Sequence, residues 1–334
     1  MAERGGILPN AHNANLADFS AKRGWFADPG IQDRWDIPAK IVIKAAVSGR
    51  SAVGKALGNT HQDWKEGNFP SSLTEFARGA REALACGAAG VHLDIGQIAD
   101  SQGNELDSHM PIVEVYRQML QPLKEEFGDR FVVDLNLLRG KDFNEGLSPI
   151  TGGLAEMAAV AAGYNREWVT ETVKVMQDHG CKPEIVIHGS GEVGLAKQRL
   201  IDTGILQKPY YYIVLIGTSM DSGLSPFSYT YMPTPYDMCK QLITIVEQIR
   251  DIDETSVIMV CAAGRATHYL TTLATLLGLH IRVGTEDTVW KYPHTDDILQ
   301  SNGEAVESAA TLARILGREP ATAAEYRELV GLVR

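Results

Sequence analysis

Short apolar runs alternate with longer amphipathic segments from about residue 40 to the end of the chain. The runs are rich in β-branched residues, as in I-V-I-K-A-A-V at 41–47 and S-V-I-M-V-C-A at 256–262, and such runs are typical of strands buried on both faces. Strands that alternate with helices predict a parallel sheet. The other predicted strands span 89–95, 131–137, 154–160, 184–188, 211–217 and 280–284.

Helical patterns occupy the intervals between these strands. Ser71 and Ser72 precede the first helix and Pro235 begins another, and both are helix-start signals. Eight strands in this order favour an α/β fold, a (β/α)8 TIM barrel with an extra C-terminal helix, over an open doubly wound sheet. The run at 154–160 is rich in alanine, which suits a helix equally well. The predicted helices span 71–86, 109–127, 164–179, 191–203, 235–250, 265–277, 303–316 and 320–333.

The first 39 residues differ from the rest of the chain. They are polar and contain Pro9, Pro29 and Pro38, which predicts an N-terminal arm at 1–39 followed by a barrel catalytic domain at 40–334. Trp25 and Trp35 would be awkward in solvent. We therefore expect the arm to pack on another subunit of a homo-oligomer, a dimer or a tetramer.

The composition of the chain limits the partners and the cellular compartment that we expect for it. The chain has 334 residues, a hydrophobic content of 44% and a net charge of −11, which argues against nucleic acid or an anionic membrane as a partner. An anionic substrate would need a local cationic pocket. No signal peptide or membrane span is evident, so we expect a cytoplasmic protein. Four cysteines without a C-x-x-C pair predict buried free thiols: Cys86, Cys181, Cys239 and Cys261.

Two glycine-rich segments imitate phosphate-binding motifs. The first, G-R-S-A-V-G-K-A at 49–56, ends in Ala56 where a P-loop needs a hydroxyl for Mg²⁺. The second, G-S-G-E-V-G at 189–194, is not followed by the acidic residue of a dinucleotide fold. Exposed amides at Gly189, Ser190 and Gly191 could still hold a substrate anion at the start of a helix.

Polar side chains gather where the predicted strands end. His92 and Asp94 are two residues apart and share a face, and Asp134 and Asn136 do the same on the next strand. The carboxyl ends of barrel strands are where TIM barrels carry their chemistry. Four further positions lie at the ends of later strands: His188, Arg265, Arg282 and the pair Glu286–Asp287.

This set is too polar for an ordinary core, because buried charges require cations, metals or hydrogen bonds. His92, Asp94 and Glu286 are residue types that bind a divalent metal such as zinc. His188 could complete this ligand set or replace one member. The alternative is that His92 is a hydrogen-bonded core residue without a metal.

The sequence resembles the β-keto acid cleavage enzymes, a family of metal-dependent TIM barrels. The similarity is strongest at G-R 264–265, R-V-G-T-E-D 282–287, S-N 301–302 and L-G-R-E-P-A-T 316–322. It is weaker at A-A-V-S-G 45–49, C-G-A-A-G-V-H-L-D 86–94, K-P-E-I 182–185 and the G-S-G turn.

The resemblance implies a retro-Claisen reaction, in which a β-keto acid and acetyl-CoA give acetoacetate and a new acyl-CoA. The metal, usually zinc, is implied at His92, Asp94 and Glu286. Arg282 and Asp287 are implied in charge stabilisation and proton transfer, with His188 as a candidate base. The positions expected to bind the keto acid are Ser48, Ser51, Asn136, Gly189, Ser190, Gly191 and Arg265.

The chain departs from the family pattern around this pocket. Asp94 replaces the second metal-binding histidine, Ser51 replaces a glutamate, and Asn136 replaces a serine. Val186 stands where an inward glutamate is usual, and His188 is gained. Such clustered changes suggest a changed substrate or reaction. Two alternatives therefore stay open: a metal-dependent lyase, aldolase or hydrolase that does not use CoA, and a non-catalytic binding barrel.

Overall fold

Eight parallel strands form a closed barrel in a computed structural model that describes residues 37–48, 73–94, 110–137, 142–216 and 234–332. The barrel strands follow one another in chain order, and β9 pairs with β2 to close the ring. They are β2 Ile43–Ser48, β3 Gly90–Asp94, β4 Val132–Leu135, β5 Met157–Ala161, β6 Lys182–Ile187, β7 Tyr211–Ile216, β8 Val257–Ala262 and β9 His280–Val283. Outside the barrel, β1 Lys40–Ile41 pairs in parallel with β10 Glu319–Pro320.

Nine α-helices lie in the described part of the chain. A π-helical turn, Lys197–Ile201, extends α5. The helices are α1 Leu73–Ala85, α2 Ile112–Phe127, α3 Phe143–Thr151, α4 Arg166–Asp178, α5 Ser190–Ala196, α6 Pro235–Ile252, α7 Ala266–Leu276, α8 Asn302–Ile315 and α9 Ala323–Val330.

The predicted TIM barrel with an extra C-terminal helix is confirmed. All eight predicted strands form, including the alanine-rich run that contains β5. Helix α3 was not predicted. The prediction that the cysteines are buried is confirmed for Cys181 and Cys261 and wrong for Cys86, which is exposed, and Cys239 is only partly buried; all four thiols are free.

Two sets of apolar side chains lie on opposite faces of the barrel wall. One set joins the strands to the outer helices. The other contains strand residues such as Val132, Met157 and Tyr211 together with residues of α9, so it is the barrel interior. Tyr326 of α9 lies 3.3 Å from where a side chain at Gly90, the first residue of β3, would begin. Helix α9 therefore covers the amino-terminal end of the barrel and leaves the other end for a site.

None of the helices in the described ranges is long and apolar enough to cross a membrane. The predicted arm lies almost wholly outside those ranges, as do the P-loop-like segment and Ser51. The division into an arm and a barrel domain stays a prediction.

Candidate active site

The predicted site residues that the structure describes lie at the carboxyl ends of the barrel strands. Asp94 is the last residue of β3, and Asn136 directly follows β4. The Tyr116 hydroxyl of α2 donates to the carbonyl oxygens of Leu93 and Asn136, at 3.1 and 2.9 Å, and so holds these two strand ends together.

A turn after β9 positions the second half of the site. Gly284 has φ +139°, and a Cβ there would lie 2.3 Å from the Ala46 carbonyl oxygen, so only glycine fits against β2. The Asn302 side chain accepts a hydrogen bond from the Thr285 amide at 2.9 Å. These contacts explain the G-T and S-N motifs, because together they fix the two residues that precede Glu286.

Arg282 binds both acidic residues of this turn. Its Nη2 lies 2.5 Å from Asp287 Oδ1 and its Nε lies 3.1 Å from Asp287 Oδ2, a two-point pair. Glu286 Oε1 accepts from the same guanidinium at 3.3 Å. Burial lowers the pKa of Arg282, but Asp287 and Glu286 outweigh it and raise that pKa well above its ordinary value. Arg282 is therefore a permanent buried cation in an otherwise acidic protein.

His92 on β3 and Glu286, which follows β9, approach each other across β2, the strand that lies between them in the barrel. His92 Nε2 lies 3.6 Å from Glu286 Oε2, and that oxygen is buried without a hydrogen-bond partner. Burial raises the pKa of Glu286 to about 7, against the opposing charges of Arg282 and His92. A carboxylate oxygen without a hydrogen-bond partner that faces an imidazole nitrogen is the arrangement expected of two ligands that can bind a cation between them.

Asp94 and Asn136, both predicted site residues, are in contact. Asn136 Nδ2 donates to Asp94 Oδ2 at 2.9 Å. The negative charge of Asp94 also contributes to the raised pKa of Glu286. Asp94 is thus linked to Glu286 by its charge, but among the described residues the three predicted ligands His92, Asp94 and Glu286 do not bring their ligand atoms within 4.8 Å of one another.

Below this group lies a buried ion cluster that sequence reasoning missed. Lys44 Nζ lies 2.5 Å from Asp134 Oδ2 and 2.5 Å from Glu184 Oε1, and all three side chains are fully buried. Burial lowers the pKa of Lys44, but the two carboxylates outweigh it and raise that pKa. His92 Nδ1 lies 2.9 Å from Asp134 Oδ2.

The ligand atoms of His92, Asp134 and Glu184 lie within 4.8 Å of one another, as those of a metal site would. The Lys44 ammonium already contacts both carboxylates of that group. A divalent ion beside a buried cation would be strongly repelled. A second candidate metal position lies between His92 and Glu286, where the Arg282 guanidinium contacts only the other oxygen of the Glu286 carboxylate.

A sequence model of beta-keto acid cleavage enzymes matches residues 40–332. The chain belongs to the beta-keto acid cleavage enzyme family.

Two proteins of similar sequence are named 3-keto-5-aminohexanoate cleavage enzyme. The protein from Fusobacterium nucleatum subsp. nucleatum is 27% identical over 301 residues, covering 88% of this chain and 98% of that protein. The protein from Acetoanaerobium sticklandii is 28% identical over 305 residues, with the same two coverages of 88% and 98%.

Solved structures support the fold. A binary complex of ObcA with oxaloacetate has a TM-score of 0.60 at 17% identity, covering 79% of this chain and 67% of that one. A type I 3-dehydroquinate dehydratase from Clostridium difficile has a TM-score of 0.52 at 10% identity, covering 84% and 94%. At such identities the likeness is to the barrel alone.

His188, predicted from the sequence as a candidate base of this beta-keto acid cleavage enzyme, lies against a carboxylate that we did not predict. Glu192 Oε2 accepts from the His188 backbone amide at 2.7 Å and lies 3.2 Å from His188 Nδ1. A Cβ at Gly163, after β5, would lie 2.4 Å from Glu192 Oε1. A side chain at 163 would therefore push the Glu192 carboxylate out of its present position. The signal was present in the sequence, because Glu192 lies one turn beyond His188 within the G-S-G-E motif.

The remaining predicted residues are less closely associated with His92 and Glu286. The Arg265 guanidinium stacks 3.9 Å from the centre of the Trp290 ring and also donates to Asp296 and Thr295, so it anchors the segment after β9. Gly189 caps the short helix α5, in which Ser190 and Gly191 are the first residues. Ser48 ends β2, beside Asp94 in the register of the sheet.

Proposed function

We propose that this chain catalyses a metal-dependent Claisen-type cleavage of a β-keto acid with acetyl-CoA, giving acetoacetate and an acyl-CoA. Membership of the beta-keto acid cleavage enzyme family supports the reaction class. The observation that carries the proposal is the position of His92 Nε2 against the unpaired, buried Glu286 Oε2, directly beside the Arg282–Asp287 pair.

The residue types present suit a divalent ion. His92 and Glu286 approach to 3.6 Å, and with Asp94 they would supply one nitrogen and two carboxylates, a combination that zinc accepts. When bound, such an ion would draw electrons from the keto oxygen and the carboxylate of the substrate and so stabilise an enolate. Arg282 alone does not fully compensate the buried negative charge of Glu286. Burial still raises the pKa of Glu286 to about 7, despite the opposing effect of the Arg282 charge.

The remaining steps begin with a proton transfer to a residue of the protein. Arg282 fixes the Asp287 carboxylate through two hydrogen bonds, which orients it to accept the α-proton of the keto acid. The carbon that loses this proton attacks the acetyl carbonyl of acetyl-CoA. The CoA thiolate leaves and then returns to the keto carbonyl of the condensed product. Cleavage of the original carbon–carbon bond leaves the rest of the keto acid as the acyl-CoA and expels the α-carbon as the acetoacetate carbanion, which takes back the proton held by Asp287.

The substrate is expected to be a small anionic keto acid. Arg282 is a buried cation beside the proposed metal ligands in a chain whose net charge is −11. His188, held by Glu192, adds a hydrogen-bonding group directly after β6, at the carboxyl end of the strand. This group is a candidate general base for the changed pocket.

Metal content is the first test. We expect about one zinc or other divalent ion per chain in the purified protein, and loss of that ion in Glu286→Gln and Asp94→Ala. Glu171→Gln, on the exposed face of α4, is the matched control and should keep the ion. Acetoacetate formation would then be screened with acetyl-CoA and a panel of β-keto acids.

Two outcomes would contradict the proposal in different ways. A protein that binds no divalent ion after resupply would exclude the metal-dependent reaction. A metal-loaded protein that cleaves keto acids without saturation by acetyl-CoA would instead favour the CoA-free lyase.

A further inference from the structure

We propose that Asp134, held by Lys44, is a positioning residue that fixes the His92 ring with its proton on Nδ1 and its Nε2 turned towards the metal. The inference rests on the proposed function, because it concerns how the barrel prepares one ligand of that metal. It adds two residues, Asp134 and Lys44, that lie beneath the ligands and would not themselves touch substrate.

The contact between His92 and Asp134 follows from the barrel register. The two residues are direct partners across the β3–β4 pair, and both side chains point into the interior. His92 Nδ1 lies 2.9 Å from Asp134 Oδ2. An ionised carboxylate only accepts hydrogen bonds, so the proton in this contact belongs to Nδ1. The lone pair of the neutral ring is then on Nε2, the nitrogen that faces Glu286.

Lys44 keeps the carboxylate in that orientation. Its ammonium contacts the same oxygen, Asp134 Oδ2, that His92 contacts. With Lys44 fully buried and bound on its other side to Glu184, Asp134 cannot rotate away without leaving a buried cation poorly paired. Such a loss is among the more costly changes in a protein interior. The ring orientation is therefore fixed before any metal binds.

The cluster is anchored further down the barrel. The Lys44 ammonium lies 5.8 Å from the centre of the Tyr211 ring, and the Tyr211 hydroxyl lies 2.6 Å from that of Tyr326 on α9. Buried contacts thus link the helix that covers the amino-terminal end of the barrel, through Tyr211 and Lys44, to Asp134 and His92. Carboxylate or carbonyl partners of this kind orient metal-bound histidines and raise their basicity.

The test compares Asp134→Asn with Glu184→Gln in the metal-free protein titrated with Co²⁺. Both variants remove one negative charge beside Lys44, but only Asp134→Asn alters the His92 contact. We expect Asp134→Asn to weaken Co²⁺ binding by about 10- to 100-fold and Glu184→Gln by less than about 3-fold. The visible spectrum of bound Co²⁺ should change only in Asp134→Asn. Far-UV circular dichroism and the thermal midpoint report whether each variant folds.

A second measurement does not depend on a folded variant. In the unmodified, zinc-loaded protein labelled with ¹⁵N-histidine, we expect the His92 resonances of the Nδ1–H form, with the metal on Nε2. The opposite assignment would overturn the inference. So would equal losses of Co²⁺ affinity in the two variants, or no loss in folded Asp134→Asn. Failure of the unmodified protein to bind any metal would be a failure of the proposed function instead.

Discussion

Replacing Gly284 by alanine should damage both the fold and the site. Gly284 has φ +139°, a conformation that residues with a side chain rarely adopt. The new Cβ would lie 2.3 Å from the Ala46 carbonyl oxygen and 2.9 Å from the Ala46 amide nitrogen. Both atoms belong to the backbone of β2, so the clash cannot be relieved by turning a side chain.

The size of the effect follows from two contributions. Holding alanine in this backbone region costs about 1–3 kcal/mol, and forcing a methyl group into a packed backbone contact costs about 1–3 kcal/mol more. We expect a loss of about 4 kcal/mol in the free energy of unfolding. Because Glu286 and Asp287 follow directly, metal binding should weaken as well.

Gly317 provides the matched control, since it has φ +79° and no atom within 4 Å of the position of a new Cβ. Gly317→Ala should cost only the backbone term, about 1–2 kcal/mol. Urea unfolding, followed by tryptophan fluorescence and circular dichroism, would measure both losses. If the two variants differed by less than about 1 kcal/mol, the clash with β2 would not matter as argued.

Two further predictions concern other parts of the barrel. Burial and the nearby charges of Arg318 and Arg250 lower the pKa of His280 to about 3, so the fold keeps His280 neutral while the unfolded chain protonates it below its ordinary pKa of about 6.5. The free energy of unfolding should therefore fall by about 2 kcal/mol between pH 7 and pH 5. In His280→Asn the amide oxygen can still accept from the Val42 amide, so this variant should lose only that part of the pH dependence in urea unfolding. An equal pH dependence in both proteins would count against this. Gly163→Ala should displace Glu192 from His188 and lower kcat/KM at least about 10-fold with little change in stability. The control Gly194→Ala, which has nothing within 4 Å of the new Cβ, should leave kcat/KM unchanged. Equal activities of the two variants would show that catalysis does not use the Glu192 contact.

The barrel was predictable because its strands carry strong local signals. Runs such as Tyr211–Ile216 and Val257–Ala262 are apolar and β-branched along their whole length, and burial on both faces permits nothing else. The alternation of strands and helices then leaves few topologies. Strand ends were predicted to within a few residues, which was enough to place His92, Asp94 and Arg282 at one end.

Helix α3 escaped prediction for an equally local reason. Its sequence, Phe143–Thr151, contains Gly146 and Pro149, both of which disfavour helix interiors. Tertiary packing outweighs that preference, because Leu147 and Ile150 are buried in the core. The cap was visible in the sequence, since the Asp142 side chain accepts from the Glu145 amide.

The buried ion cluster shows where sequence reasoning ends. Lys44 stands in the apolar run I-V-I-K-A-A-V and Glu184 begins E-I-V-I-H, so each could have been recognised as a charge in a buried strand. Their pairing could not, because Lys44 is 90 residues from Asp134 and 140 from Glu184. Which inward positions meet is set by the stagger of the closed barrel, a property of the whole ring.

The positions that we interpreted from the sequence as departures from the family pattern do not act singly in the structure. Asp94 and Asn136, which are separate positions in the sequence, are hydrogen-bonded partners at 2.9 Å. The charge of Asp94 raises the pKa of Glu286, and the Asn136 amide donates to Asp94. His188 likewise contacts the buried Glu192. Hydrogen-bonded pairs of this kind satisfy the polar atoms of a buried site, so the effects of replacing their two members should be coupled and not additive.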